Sequence, residues 1–349
     1  MFMKKSWVAV AALMTSTGVA HADVKAYGTI DMSFGSFEVF HAKGSDTRAT
    51  KVESGAMTTS FIGFGGSEDL GGGLKAEFAL ESFLHADTGG QQNNMAGSFW
   101  GRDSYLALSG GFGRVIAGQY DNTFYGQCLS YSAFSGSFGF SPSTILLFGD
   151  YGYFDDYVVG LGFDTSWVNS LTYESPNFGG FTFSAQFSPK EVVSSNPSSR
   201  DSYTLSGNYS AGPLSLGLNY AVTGYNSTAY LAKKNAYQLG ASYDFGVLKV
   251  MGQYAEAKTK DGSDTIATLK SYELSIAVPV TAEGTVLAAY GEAKYTGDYF
   301  GDTFKRRIFS LAYDQRLSKR TDVYAGFKYD GATDLESGQT VAVGIRHAF

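Results

Sequence analysis

Several residue types are scarce in this chain of 349 residues, and each scarcity excludes a class of structure. The single cysteine, Cys128, cannot form an intramolecular disulfide. Four histidines and one cysteine provide no pair at the spacing of a zinc site. After residue 22 no stretch approaches the ~18 uninterrupted apolar residues of a membrane helix. Disulfide scaffolds, zinc sites and helical membrane spans are therefore not expected.

The first 22 residues have the composition of a secretory signal. Lys4 and Lys5 form a positive region, residues 7–19 are apolar with small side chains, and residues 20–22 read Ala-His-Ala, a cleavage pattern. We predict that residues 1–22 are removed, and that the loss of two lysines changes the formal charge from −7 to −9. This acidic balance gives no reason to expect a nucleic-acid partner.

Apolar and polar residues alternate through most of the remaining chain. In the first run Ile30, Met32 and Phe34 fall on one face, while Thr29 and Asp31 fall on the other. One apolar face and one face of small polar residues is typical of a sheet with one wet side. A soluble sandwich shows the same alternation. The Gly, Ser, Thr, Asn and Gln of the polar face favour a barrel in lipid, with that face lining the lumen.

Short turns rich in glycine alternate with longer polar segments. Turns are expected at residues 71–73 and 110–111, and longer segments at residues 41–57, 189–201 and 259–269. Short turns on one rim and long loops on the other are typical of the periplasmic and extracellular ends of outer-membrane barrels. We predict an all-β fold, a 16-stranded antiparallel transmembrane β-barrel in the bacterial outer membrane, which occupies residues 23–349.

The alternation stops over residues 121–165, where aromatic residues, Gly, Ser and Asp dominate. A segment of this length without secondary structure either contradicts the strand assignment or has a function of its own. We interpret it as the third loop, folded inward to constrict the lumen. A second irregularity precedes it, because the alternation that places Arg102 and Ser104 inward also places Leu106 and Leu108 inward. Two leucines facing the lumen would require either a bulge in the strand or packing of the leucines beneath the loop.

Several motifs, in this order, resemble the general trimeric porins of Gram-negative outer membranes, in the branch typical of β-proteobacteria. They are Ala-Tyr-Gly-Thr-Ile-Asp at 26–31, Gly-Phe at 63–64, Gly-Ser-Glu-Asp-Leu-Gly-Gly-Gly-Leu at 66–74, Tyr-Glu-Ser-Pro-Asn-Phe-Gly-Gly-Phe at 173–181, and Gly-Ile-Arg-His-Ala-Phe at 344–349. The resemblance implies a homotrimer in lipid and lipopolysaccharide, and passive diffusion of small hydrophilic solutes. It also implies that the assembly machinery of the outer membrane reads Phe349.

The resemblance further implies an arginine ladder on the wall opposite the third loop. Arg102 keeps its place in that ladder, whereas Phe61, Gln119 and Thr172 stand where members of the family commonly carry arginine. With a thinned ladder and an acidic mature chain, we expect a constriction that is neutral to cation-preferring.

The loop acids and the charges in the inward phase are further candidates for the pore. The loop acids are Asp121, Asp150, Asp155, Asp156 and Asp164, each of which either faces the wall bases or is an ordinary solvated loop residue. The lumen charges are Asp31, Lys75, Glu81, Lys249, Lys328 and Arg346. For Lys249 and Arg346, charge balance near a rim is the expected role. Calcium on the loop acids is a hypothesis, and no other cofactor is expected.

The aromatic residues of the third loop allow two interpretations. Phe138, Phe140, Tyr151 and Tyr153 either form a track for sugar rings or anchor the loop on the wall beside Phe61. Anchoring is favoured, because an internal loop needs a core of its own. An enzyme is not expected. The alternatives to a general diffusion channel are a sugar-preferring channel and a structural or adhesive barrel whose conductance is incidental.

Overall fold

The computed structural model describes residues 23–91, 98–149, 165–189, 201–224, 232–297 and 303–349. The expected signal segment, residues 1–22, lies outside the described residues. So do four acids of the third loop, which are Asp150, Asp155, Asp156 and Asp164. None of the helices among the described residues is long and apolar enough to cross a membrane.

Strands make up most of the described chain, and β-branched and aromatic residues recur in them. The first nine are β1 (Asp23–Phe37), β2 (Ala49–Ser54), β3 (Phe61–Gly71), β4 (Leu74–His85), β5 (Gly90–Gln91), β6 (Ser104–Gly110), β7 (Gly113–Asp121), β8 (Ser166–Glu174) and β9 (Phe181–Ser188). The next nine are β10 (Ser202–Ala211), β11 (Leu214–Gly224), β12 (Ala232–Asp244), β13 (Lys249–Asp261), β14 (Asp264–Pro279), β15 (Gly284–Gly297), β16 (Phe304–Arg316), β17 (Thr321–Ala332) and β18 (Gly338–Ala348).

Sixteen of these eighteen strands close into one antiparallel barrel. From β3 to β18 each barrel strand pairs with the next one, and β1 pairs with both β18 and β3. The remaining two are accessory strands, because β2 pairs with the far half of β1 and β5 pairs with two residues of β4. Closure pairs the backbone groups that an open sheet edge would expose to hydrocarbon. The predicted 16-stranded barrel is confirmed.

The two faces of the barrel wall have opposite polarity. Outward residues such as Leu218 and Val343 are more than half exposed, whereas inward residues such as Asn219, Gln238 and Ser310 are fully buried. A soluble protein buries its apolar face, and this wall does the reverse. The outward face therefore suits lipid, and the inward face suits water and polar contacts.

Two expectations about strands were wrong. Leu106 and Leu108 are 63% and 40% exposed and face outward, because β6 begins only at Ser104 and the phase cannot be carried through Arg102. Residues 259–269 are mostly strand, because β13 and β14 are joined by a two-residue turn in which Gly262 has φ +59°. Gly262 and Ser263 form this turn, and Gly at the first of two loop positions is a common hairpin signal.

The described part of the third loop lies inside the barrel and contains two helices, α1 (Thr123–Ser130) and α2 (Pro142–Phe148). The Asn122 side chain caps α1 by accepting from the Tyr125 N–H (2.8 Å). The Glu273 carboxylate, on the inward face of β14, accepts from the Ser143 N–H in the first turn of α2 (2.7 Å). Helix α1 contacts β9 to β12, and α2 contacts β14 to β16.

Inward-facing glycines receive the large side chains of the loop. A Cβ at Gly240 or Gly217 would overlap the ring of Tyr131, and a Cβ at Gly326 would lie 2.7 Å from the Phe140 ring. Small alanines of the wall receive other side chains of the loop in the same way. The buried Phe124 and Leu146 pack in a cluster with Ala221, Ala236, Ala255 and Ala293. The second half of the barrel is thus shaped to hold the loop.

A methyl group at one of these glycines tests the docking of the loop. We expect Gly240→Ala to destabilise the barrel by about 1–3 kcal/mol, because the added Cβ forces the Tyr131 ring from its place. The measurement is thermal unfolding of the purified protein in detergent micelles.

The matched control is Gly252→Ala, where the nearest atom to the new Cβ, the Glu273 carbonyl oxygen, lies 3.5 Å away. Its stability should match that of the wild type. In a Tyr131→Ala background the clash is absent and Gly240→Ala should cost little, so an equal cost of Gly240→Ala in both backgrounds would contradict this account.

Candidate functional site

The loop leaves a cavity of about 1170 Å³ in the lumen. Because the helices lie against β9 to β16, the open space lies beside β2, β3 and β4 and extends to β15 to β18. Residues that line it include Phe37, Lys51, Met57, Phe61, Phe83, Arg102, Asp121, Phe138, Leu287, Asp314, Lys328 and Arg346. Both charged and aromatic side chains therefore face the same space.

Arg102 lies on this cavity and is paired. The backbone holds it in place, since the Arg102 N–H donates to the Glu81 carbonyl (3.1 Å) and the Glu81 N–H donates to the Asp103 carbonyl (2.7 Å). Its guanidinium forms an ion pair with the Glu81 carboxylate and stacks 4.2 Å from the centroid of the Phe61 ring. The Tyr27 hydroxyl also donates to Glu81. Phe61, where an arginine was expected, thus supports the guanidinium of Arg102.

The structure corrects the positions of Gln119 and Thr172. Gln119 is buried behind the cavity, where its amide donates to the Gly101 carbonyl (2.6 Å) and to Ser166 Oγ (3.1 Å). Thr172 is fully buried on the inward face of β8 and does not line the cavity. Gln119 holds the backbone beside Arg102, so its contribution to the constriction is indirect.

Asp31 faces inward but is fully buried, and its carboxylate is saturated with donors. It accepts from the Met57 N–H (2.7 Å), the Thr58 N–H (2.6 Å) and the Tyr324 hydroxyl (2.7 Å). These bonds hold residues 55–60 inside the barrel. The Ala56 carbonyl in turn accepts from the Gly139 N–H (3.1 Å) and from Ser137 Oγ (2.8 Å), so this turn also holds the third loop.

Arg346 lines the cavity from a position near the end of β18. Its guanidinium lies 3.2 Å from Asp314 and 2.9 Å from Asp322, and it donates to Thr58 Oγ1 (2.7 Å). The phase of β18 indicated that Arg346 faces inward. It could not show that Arg346 contacts Asp314, Asp322 and the turn at residues 55–60.

The remaining candidates divide between the rim and the cavity. Lys75 and Lys249 face inward at the ends of β4 and β13 that adjoin short turns, and neither lines the cavity. Asp121 and Lys328 do line it. Phe349 closes the barrel at the end of β18, where its backbone exchanges hydrogen bonds with Gly28 (3.1 and 3.3 Å).

Two inward charge clusters were missed. Arg114 on β7 pairs with Glu77 (3.0 Å) and Glu174 (3.3 Å), and Arg306 on β16 binds the Asp330 carboxylate through two bonds of 2.8 and 2.7 Å. All five residues occupy the inward phase of their strands, so the same alternation could have found them. The first cluster spans β4, β7 and β8 and the second joins β16 to β17, so both brace the wall.

Cys128 is fully buried in the core of the loop. Burial raises the pKa of its thiol to about 12, so almost no reactive thiolate is present near neutral pH. This environment fits an inert core residue. Among the described residues no group of three or more His, Cys, Asp or Glu could hold a metal ion. Four of the five loop acids named in the calcium hypothesis lie outside that part of the chain, so the hypothesis stays a prediction.

Comparison with known proteins gives consistent matches along the chain. A family model described as Gram-negative porin matches residues 9–335. Outer membrane porin protein 32 of Delftia acidovorans is 32% identical, with 99% of this chain and 100% of the relative covered. An outer membrane porin protein of Bordetella pertussis is 28% identical over the same shares.

Solved structures agree with these relatives. An anion-selective porin from Comamonas acidovorans superimposes with a TM-score of 0.79 at 28% identity, with 94% of this chain and 100% of that chain covered. OmpT of Vibrio cholerae in its trimer form has a TM-score of 0.66 at 14% identity, with 94% of this chain and 99% of that chain covered, and shows likeness of fold alone.

Asp31 provides a test of the inserted turn. We expect Asp31→Asn to destabilise the protein by about 1–3 kcal/mol, because one carboxamide oxygen cannot replace two carboxylate oxygens that accept three hydrogen bonds. Thermal unfolding in detergent measures the loss. Asp23→Asn, at the exposed start of β1, is the control and should change little. A wild-type melting curve for Asp31→Asn would show that the carboxylate does not hold the turn.

Proposed function

The chain belongs to the Gram-negative porin family, and from this premise we propose that it is a passive diffusion channel for ions and small hydrophilic solutes. It is a β-barrel protein of the bacterial outer membrane and not an enzyme. The observation that carries the proposal is the cavity inside a wall with a polar inner face. Such a pore selects by width, electric field and wetting, and no bond is made or broken.

We further propose that the pore is neutral to cation-preferring. The described lining has four acids, Glu38, Glu53, Asp121 and Asp314, and four bases, Lys51, Arg102, Lys328 and Arg346. Three of these bases form ion pairs, namely Lys51 with Glu53, Arg102 with Glu81, and Arg346 with Asp314 and Asp322. Paired charges produce little net field in a water-filled lumen, so the bases give anions little advantage.

Two lining charges form no ion pair with any described residue, and they lie far apart on the wall. Asp121 ends β7 and Lys328 is on β17, six strands away through β6, β4, β3, β1 and β18. In a barrel of sixteen strands this places a negative and a positive charge on roughly opposite sides. The arrangement supports a transverse field that would orient dipolar solutes.

The solved relative from Comamonas acidovorans is named an anion-selective porin. For this chain the proposal differs because Phe61, Gln119 and Thr172 occupy positions where the family commonly carries arginine. The remaining Arg102 is neutralised by Glu81. The difference in ion preference therefore rests on one ion pair and three substitutions.

We also propose that the working form is a homotrimer in lipid and lipopolysaccharide, inserted by the assembly machinery through the strand that ends in Phe349. The apolar outward face supplies a surface that lipid and neighbouring copies can cover. The mass of the protein in mild detergent, measured by analytical ultracentrifugation with the detergent contribution subtracted, should be three times that of the chain. A monomer mass in several mild detergents would contradict the trimer.

The ion preference is tested by reversal potentials in a planar bilayer under a KCl gradient. The wild type should show a potential near zero or of the cation-preferring sign. Glu81→Gln should shift the potential toward chloride preference, because it leaves the Arg102 charge unpaired. Arg102→Gln should shift it the other way, because it leaves the Glu81 carboxylate unpaired.

Glu283→Gln makes the same charge change in an exposed turn on the rim and should leave the potential unchanged. A clear chloride preference of the wild-type channel would overturn the proposed selectivity. Absence of any conductance in correctly folded protein would overturn the channel itself, and would favour a structural or adhesive barrel.

A further inference from the structure

We propose that the lumen contains a subsite for small aromatic carboxylates, in which Phe138 contacts the ring and Lys328 binds the carboxylate. The inference rests on the proposed channel function and names a class of solute that the channel would retain on passage. Both residues line the same cavity, one from the third loop and one from the wall.

Lys328 is a buried cation that points into the cavity. It is 5% exposed, lies on the inward phase of β17, and forms no ion pair with any described residue. Asp330, two positions along the same face, is bound by Arg306 through two hydrogen bonds. An ammonium group largely removed from water is stabilised by an anionic ligand that hydrogen-bonds to it.

Phe138 is the most exposed of the described rings of the third loop, and Tyr125 and Phe148 are half-buried and also line the cavity. Phe124, Tyr131, Phe134 and Phe140 are at most 3% exposed and hold the loop on the wall, whereas Phe138 is 38% exposed. Anchoring is therefore the role of Phe140, and one face of Phe138 is left for the lumen. An exposed aromatic ring beside a water-filled cavity offers a stacking surface to a planar solute.

The packing of Phe140 places the loop segment that carries Phe138 against the strand that carries Lys328. The Phe140 ring lies on Gly326 of β17, and Lys328 is two residues further along the same inward face, about 7 Å along the strand. Phe138 is two residues before Phe140 in the loop. The apolar surface between them is extended by Phe134 and Leu287, which belong to the same cluster and also line the cavity.

This combination favours an aromatic carboxylate over simpler solutes. An inorganic anion would use the ammonium and gain nothing from the rings. A neutral sugar would stack on Phe138 but leave Lys328 without a charge partner. A ring that carries one carboxylate satisfies both, and the cavity of about 1170 Å³ exceeds the size needed for such a molecule.

The test is block of single-channel current in a planar bilayer by potassium benzoate added to a KCl solution. We expect benzoate to reduce or interrupt the current at a concentration about tenfold lower than acetate or glucose requires. Cyclohexanecarboxylate, with an apolar ring that does not stack, should be intermediate.

Matched variants separate the two contacts. Lys328→Gln and Phe138→Leu should each raise the blocking concentration of benzoate about tenfold. Lys328→Arg keeps the charge and should retain block. This result would show that the loss of block in Lys328→Gln comes from the lost charge and not from a general folding defect. The controls are Lys75→Gln at the rim and Phe178→Leu on a short exposed turn, and both should behave as the wild type.

Three outcomes would overturn the subsite. Acetate as potent as benzoate would show a plain anion site, and glucose as potent as benzoate would show a sugar site. An open channel indifferent to benzoate would also refute the subsite, while the proposed diffusion function would stand. Absence of conductance in any salt would instead refute the diffusion function on which the inference depends.

Discussion

The constraint on which the structure depends is the pairing of backbone amides and carbonyls in hydrocarbon. Lipid offers these groups no partner, so a sheet can span the bilayer only when its first and last strands meet. In this chain β1 and β18 pair over eight residues, and Phe349 continues the contact to Gly28. Because the backbone alone closes the wall, the inward side chains are free to shape the lumen.

The inward side chains divide the lumen into two unequal parts. On β11 to β17 they include Gly217, Gly240, Ala255, Ala293 and Gly326, and their small volume admits the helices of the third loop. On β4, β7 and β8 they include Glu77, Arg114 and Glu174, which reach across neighbouring strands to one another. The loop docks where the inward side chains are small, and the cavity lies beside β2 to β4 and extends to β15 to β18. The distribution of small residues thus sets the position of the pore.

Period-two alternation predicted the barrel, its strand number and the faces of most strands, because one face meets lipid and the other meets water. It failed at Leu106, where the strand begins later than the pattern, and at residues 259–269, where a Gly-Ser turn was overlooked. The family motif identified Arg102, which precedes β6, whereas residue type and phase identified Asp31 and Lys328 as inward residues. They could not show that Arg102 meets Glu81, because such contacts depend on the register between strands. The run of inward glycines and alanines was a readable signal for the docking of the loop.

Cross-strand register also decides how lumen charges act on solutes. A list of basic residues would suggest an attraction for anions from Lys51, Arg102, Lys328 and Arg346 together. Three of them have acidic partners. The opposite charges of each pair largely cancel, and water and salt screen what remains of their field. Lys328 and Asp121 are the lining charges that form no ion pair with any described residue. Two porin lumens with similar totals of basic residues can therefore differ in preference, and the ion pairs of the wall, more than its composition, determine the field.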